Sequence, residues 1–138
     1  MELRPNAKIR LLKQIPLFGK LSRPELEGIA KIADEIDFRE GKELAREGAA
    51  GREFFVIVEG DAEVTRGKRK LRRLGDGDFF GEISLIAKTP RNATITTTSP
   101  VRTLVITDRA FRQLLDHAPQ IQIGVLTALA ERLAPTTL

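Results

Sequence analysis

The chain has 138 residues, 41% of them hydrophobic and 30% charged, and 23 Lys and Arg against 19 Asp and Glu leave a net charge of +4. This is the balance of a globular domain, and at this length folding hides about 68–70% of the unfolded surface, enough for a core without disulfides or a structural metal. The absence of cysteine excludes a disulfide framework, a zinc ribbon, an iron–sulfur cluster and a cysteine nucleophile; the single histidine, His117, excludes multi-histidine metal sites and leaves any Ser-His-Asp hydrolase dependent on that one residue. Enzyme chemistry is therefore disfavoured. No stretch approaches the ~18 consecutive apolar residues of a membrane helix, and a reducing cytoplasm is the expected compartment.

In chain order, Ile9, Leu12 and Ile15, then Leu17 and Phe18, recur at helical spacing up to Pro16, with Gly19 as a stop. A second helix is predicted from Ser22, which can cap it with Glu25 as the reciprocal partner, and Leu26, Ile29, Ala30 and Ala33 form one apolar face. From Ile36 to about Thr107 the pattern changes to short apolar runs between Gly, Asp and Asn, the mark of an antiparallel all-β unit. Strands are predicted at Ile36–Phe38, Phe54–Val58, Ala62–Thr65, Leu71–Leu74, Thr94–Thr97 and Arg102–Ile106. The unbroken Phe54–Val58 run predicts a central strand covered on both sides. Helical spacing returns with Phe111, Leu114 and Leu115 up to Pro119, and Ile121, Val125, Leu126, Leu129 and Leu133 predict a final helix ending near Pro135. The expected organisation is a single domain over 1–138, with helices in 1–35 and 108–138 and a β-roll over 36–107.

The segment from Gly81 to Thr94 carries the chemistry. It leaves a turn at Asp76-Gly77-Asp78, has room for one helical turn at Ser84–Ala87, and re-enters a strand after Arg91. A short helix start exposes N–H groups that suit a phosphate, and Arg91 can add a fork of charged donors to the same oxygens. Glu82 would repel a phosphate, but an acceptor-only carboxylate beside one suits a ribose hydroxyl, and Gly81 permits close backbone approach. With apolar strand residues for a base, these residues describe a nucleotide pocket. The alternative is a Glu82–Arg91 ion pair that merely closes a turn.

This segment resembles the phosphate-binding cassette of cyclic-nucleotide-binding domains, the modules of catabolite-activator-like regulators, protein kinase regulatory subunits and cyclic-nucleotide-gated channels. Phe80, Gly81, Glu82, Leu85, Pro90, Arg91, Ala93 and Thr94 fall into the cassette's register over 80–94. Upstream, Glu47-Gly48 and Phe55-Val56-Ile57-Val58-Glu59-Gly60 match the family's strand motif, with Phe55 in place of the common Tyr. The resemblance implies a mainly β fold, an antiparallel eight-stranded β-roll of jelly-roll type between N-terminal and C-terminal α-helices. It implies that Glu82 accepts from the ribose 2′-hydroxyl and that Arg91 pairs with the cyclic phosphate. The amides of Ser84 and of Asn92 or Ala93 would add phosphate contacts, with Gly81 and Ile83 alongside, and Val64 would lie against the base. It further implies binding without catalysis, no metal, a final helix that moves over the base with Leu126, Leu129 and Leu133 as lid candidates, and a protein effector.

Asn92 departs from the Ala, Thr or Ser common after the arginine and leaves cAMP and cGMP both open; cAMP is the expected ligand as the commoner one of bacterial-looking members. The basic cluster Arg66, Lys68, Arg69, Lys70, Arg72 and Arg73 lacks interleaved aromatics or a groove-entering helix, so a solvated hairpin is expected, with an acidic partner and nonspecific nucleic-acid binding as the alternatives. His117 is expected at a helix C-terminus, Thr94–Thr98 in a strand with one wet face, and Asp76 and Asp78 as turn residues rather than calcium ligands. The remaining readings are a sensor piece of a larger regulator, channel or enzyme, an interaction module that binds no nucleotide, and a homodimer formed through the final helix.

Overall fold

A computed structural model describes residues 3–133. The described residues divide into two compact units, one formed by residues 3–33 with 109–133 and the other by Asp34–Asp108.

The first unit is helical. Helix α1 spans Pro5–Lys13, a 3-10 turn follows at Pro16–Phe18, α2 spans Arg23–Ile32, α3 Asp108–His117 and α4 Pro119–Leu133. The helical spacing that continues to Pro16 in the sequence is broken earlier. Helix α1 ends at Lys13, Gln14 caps it, and Ile15 turns extended to lead into the 3-10 turn. Pro16 enforces this, because its ring disfavours helical backbone at Ile15. The predicted start of α2 is realised as a full capping box. The Ser22 hydroxyl accepts from the Glu25 N–H, and the Glu25 carboxylate accepts from the Ser22 N–H at 2.8 Å. Such a cap contributes about 0.5–2 kcal/mol. The core of this unit gathers Leu12, Leu17, Phe18, Leu26, Ile29 and Phe111, each at most 1% exposed. Phe18 and Phe111 lie 6.0 Å apart, centroid to centroid. His117 closes α3 as expected, its Nδ1 2.8 Å from the Gln113 carbonyl.

The second unit is a β-roll of two four-stranded antiparallel sheets. Strands β1 (Asp34–Phe38), β2 (Glu43–Ala45), β3 (Glu53–Glu59), β4 (Ala62–Arg66), β5 (Arg69–Leu74), β6 (Phe79–Phe80), β7 (Thr94–Thr97) and β8 (Val101–Thr107) are ordered β1-β8-β3-β6 in one sheet and β2-β7-β4-β5 in the other. The first strand starts two residues before the expected Ile36. Strands β2 and β6 carry no hydrophobic period and are too short to be seen in the sequence. Strand β3 is the central, doubly covered strand: Phe54, Phe55, Val56 and Ile57 are all buried. Phe55 stacks between Phe38 and Phe80 on one face, and Phe54 meets Phe79 edge-on on the other. Inside the roll, Ile57 joins Ala45, Ala62, Val64, Leu74, Ala93 and Ile95 in one apolar cluster, with Phe80 packed against it.

The buried threonine hydroxyls of this unit have their partners. Thr97 in β7 donates its hydroxyl to the Arg39 carbonyl at 2.8 Å and accepts from the Lys42 N–H at 2.8 Å, and the Thr103 hydroxyl donates to the Ile36 carbonyl. Asp76 and Asp78 accept from the N–H groups of Gly60 and Gly75, so they are turn residues. No group of metal-binding side chains occurs among the described residues, and no helix there is long and apolar enough to cross a membrane.

Candidate functional site

A cavity of about 470 Å³ opens in the β unit between β4–β5 and the loop from Phe79 to Ala93. Its lining includes Val64, Gly81, Glu82, Ile83, Ser84, Arg91, Asn92 and Ala93, so every expected site residue outside α4 comes together.

The loop's geometry follows from its sequence. After β6, Gly81 adopts φ +85°, and the helical turn spans Glu82–Leu85 as a 3-10 turn rather than the expected Ser84–Ala87. The left-handed step at glycine starts the turn immediately, which is why it begins two residues early. A side chain at Gly81 would collide with Arg91 Nη1 and stand 2.7 Å from the Glu53 carbonyl oxygen. Gly51 is equally constrained, since a Cβ there would sit 2.7 Å from both Arg91 Nε and Ser84 Oγ. Two glycines thus make the slot in which the guanidinium lies.

Arg91 is held from several sides. Its Nη1 donates to Ser84 Oγ at 3.0 Å and its Nη2 to the Glu53 carbonyl at 2.5 Å. Its backbone is pinned to the loop after β2, with Arg91 N–H donating to the Ala49 carbonyl and Gly48 N–H to the Arg91 carbonyl, each at 2.8 Å. Burial pulls the guanidinium's pKa below its ordinary value, and the charge of Glu53 pushes the other way. A half-buried guanidinium with its fork fixed is preorganised for an anion. Glu82, at 9% exposure, lies in the same wall, with its Oε2 sealed from solvent. Ser84 is 5% exposed, and its N–H donates to the Gly81 carbonyl at 3.0 Å within the 3-10 turn.

The apolar side of the cavity comes from the second sheet. Val64 and Ile95 face it from β4 and β7 in adjacent register, with Ala45, Leu74 and Phe80 completing the wall. Ile83 is 43% exposed at the mouth. Asn92 is exposed, and its carbonyl accepts from Arg66 Nε at 2.8 Å. The hairpin expected to be merely solvated therefore contributes two cations to the cavity, Arg66 and Arg72, the latter paired in register with Val64. The signal lay in strand alternation: Val64 and Arg66 share a face of β4. The contributions of Gly51 and the Glu53 carbonyl carried no side-chain signature to be read. Glu47, quoted in the upstream motif, accepts from the Gly67 N–H and so fastens the β4–β5 turn.

The lid candidates lie on α4. Leu126 is 59% exposed, Leu129 is half-buried, and the side chain of Leu133 lies outside the described residues.

A family model described as the cyclic nucleotide-binding domain matches residues 35–118. A cAMP-dependent protein kinase regulatory subunit of Mycosarcoma maydis is 37% identical, over 93% of this chain and 25% of that protein. A cGMP-dependent protein kinase of Eimeria tenella is 32% identical, over 93% of this chain and 12% of that protein. The chain thus spans about a quarter or less of the length of these curated relatives. Among solved structures, the N-terminal domain of a transcriptional regulator from Streptomyces coelicolor superposes with a TM-score of 0.84 at 27% identity, over 91% of this chain and 92% of that one. A cyclic nucleotide-binding-like protein from Brucella abortus gives a TM-score of 0.74 at 29% identity, over 79% and 97%. This chain, a β-roll whose cavity is lined by both a fixed guanidinium and a buried carboxylate and which the family model matches over residues 35–118, belongs to the cyclic nucleotide-binding domain family.

Proposed function

We propose that the cavity binds cAMP as a regulatory ligand and that the domain signals without catalysis. The observation that carries this is the clamped Arg91 guanidinium, fixed by Ser84 and the Glu53 carbonyl in a slot between two glycines and lining the same cavity as Glu82. Arg91 takes the cyclic phosphate, which carries one negative charge, through the N–H directions that the clamp leaves toward the cavity. Glu82 accepts from the ribose 2′-hydroxyl, an interaction strengthened by its burial. Gly81 and Ile83 shape the approach to the sugar. The amides of Ser84 and of Asn92 or Ala93 add phosphate contacts; for Ser84 this means sharing or exchanging its bond to Gly81. Val64 lies against the purine.

Movement of α4 on binding is the output in this reading. Leu126 and Ile123, at 59% and 64% exposure, leave apolar surface there for the bound state or for a protein effector to cover. A homodimer through α4 is the further possibility of the same surface, and sedimentation that stays monomeric across a concentration series removes it. The two units work as one ligand-responsive domain over 1–138.

A second reading, cGMP, is favoured by Arg72. A guanidinium beside the base-facing Val64 can donate to both O6 and N7 of guanine, whereas adenine places a donor at the corresponding exocyclic position. Titration calorimetry with cAMP, cGMP and linear AMP on wild-type and Arg72→Ala protein tests both readings. Tighter cAMP binding that Arg72→Ala leaves unchanged supports the first. Tighter cGMP binding that Arg72→Ala weakens supports the second. Silence toward both cyclic nucleotides from folded protein overturns the binding function.

A further inference from the structure

The cation-rich strand β5 borders the nucleotide cavity through Leu71 and Arg72, while Lys70 and Arg73 lie outside that cavity's lining. Strand β5 is the edge of its sheet, paired to β4 alone, and Arg69 to Arg73 are all exposed. Pairing with β4 shifts between Val64 and Thr65, so that Arg72 faces Val64 and Lys70 faces Thr65, leaving Leu71 as the extra residue of a β-bulge. Beside this bulge lies a second hollow of about 420 Å³, lined by Glu63, Lys70, Leu71, Arg72, Arg73 and Thr98, which shares Leu71 and Arg72 with the nucleotide cavity. Three cations line it against one carboxylate, and that carboxylate is engaged: Lys70 Nζ lies 3.3 Å from Glu63 Oε1.

We propose that this edge docks an acidic, extended segment of a partner protein. An edge strand presents a row of N–H and C=O groups that a peptide backbone can pair with, and alternate side chains of an added strand then reach alternate side chains of the edge. On β5 those side chains are the arginines and Lys70, which select carboxylates, with Leu71 as an apolar seat at 39% exposure. The same charges exclude a second copy of this chain as the occupant, because two β5 edges would bring like charges face to face. A nucleic-acid backbone has no N–H and C=O ladder to match. The acidic peptide is the chemistry that fits both the edge and its charge.

The test is fluorescence anisotropy with the whole chain and a labelled peptide of alternating Glu and Val, against a Lys and Val peptide and a single-stranded oligonucleotide, all without nucleotide. The docking question is thereby answered whether or not the inner cavity takes a cyclic nucleotide. Saturable binding of the acidic peptide alone is expected, weakened about tenfold or more by Arg73→Glu or Lys70→Glu and abolished when the peptide's backbone amides are methylated. Thermal unfolding of each variant shows that it is folded. An absence of saturable binding, tighter binding of the oligonucleotide, or an affinity unmoved by both charge reversals and by amide methylation overturns the proposal.

Discussion

Strands β3 and β8, at the centre of the first sheet, each bury four consecutive residues, Phe54–Ile57 and Thr103–Ile106, whereas β5 at the edge of the second sheet buries only Leu74. The central pair of the first sheet is buried on both faces and holds the fold. The second sheet keeps polar side chains over much of its surface, and its inner face gives Val64, Arg66, Arg72 and Ile95 to the cavity. The difference shows why the same unit can be rigid and still bind. The doubly buried pair fixes the Glu53 carbonyl that holds Arg91, and the half-wet sheet leaves side chains available to a ligand.

The largest expected effect comes from breaking the first sheet. Phe54 is fully buried, so Phe54→Ala should lose about 3–5 kcal/mol in urea unfolding, while Leu71→Ala in β5 should change stability by no more than about 0.5 kcal/mol. Equal losses at the two positions would erase the contrast. Next is Arg91→Ala, which should weaken cyclic-nucleotide binding by about 2–5 kcal/mol in calorimetry while the urea midpoint moves far less. A variant that binds like wild type would show that the guanidinium only closes its loop.

Gly81→Ala should destabilise by at least about 1–2 kcal/mol, the cost of left-handed backbone at a residue with a Cβ, and should also displace Arg91. Differential scanning calorimetry measures the first effect and nucleotide titration the second. The smallest expected effect is acid sensitivity at β1–β8. A hydrogen bond from Arg102 Nε, 2.9 Å from Asp37 Oδ1, holds the Asp37 carboxyl below its ordinary pKa. A depressed folded-state carboxyl contributes stability that is present above its unfolded pKa and is lost as pH falls through the folded value. The melting-temperature difference between wild type and Arg102→Gln should therefore be small at neutral pH and shrink to nothing in strong acid. A difference that grows on acidification would contradict the pairing.

Much of this architecture was legible because it rests on local chemistry. The capping box at Ser22 and Glu25, the run Phe54–Val58 and the strand Thr94–Thr97 each carry their own signal in residue type and spacing. The segment 80–94 was legible through its resemblance to the family's cassette, since Glu82 and Arg91 at that spacing alone fit a turn-closing ion pair equally well. Strands β2 and β6 were not, since three and two residues hold no period and exist only through their partners β7 and β3. The clamp on Arg91 was equally hidden: a backbone carbonyl at Glu53 and the bare Cα of Gly51 leave no mark that spacing can reveal. Arg66 and Arg72 looked like solvated charges because a basic run reads the same whether or not alternate members face a cavity.

The central claim is that the ligand sits between the 80–94 loop and β4, anchored at Arg91. Proton–nitrogen correlation spectra of the labelled chain, titrated first with cAMP and then with cGMP, test it most directly. The largest shifts should fall on the amides of Gly81, Glu82, Ser84, Arg91 and Ala93 and on Val64, with Leu104 and Ile106 in β8 little moved. Saturating cyclic nucleotide that leaves the loop amides in place, or shifts centred on the first sheet, would contradict it.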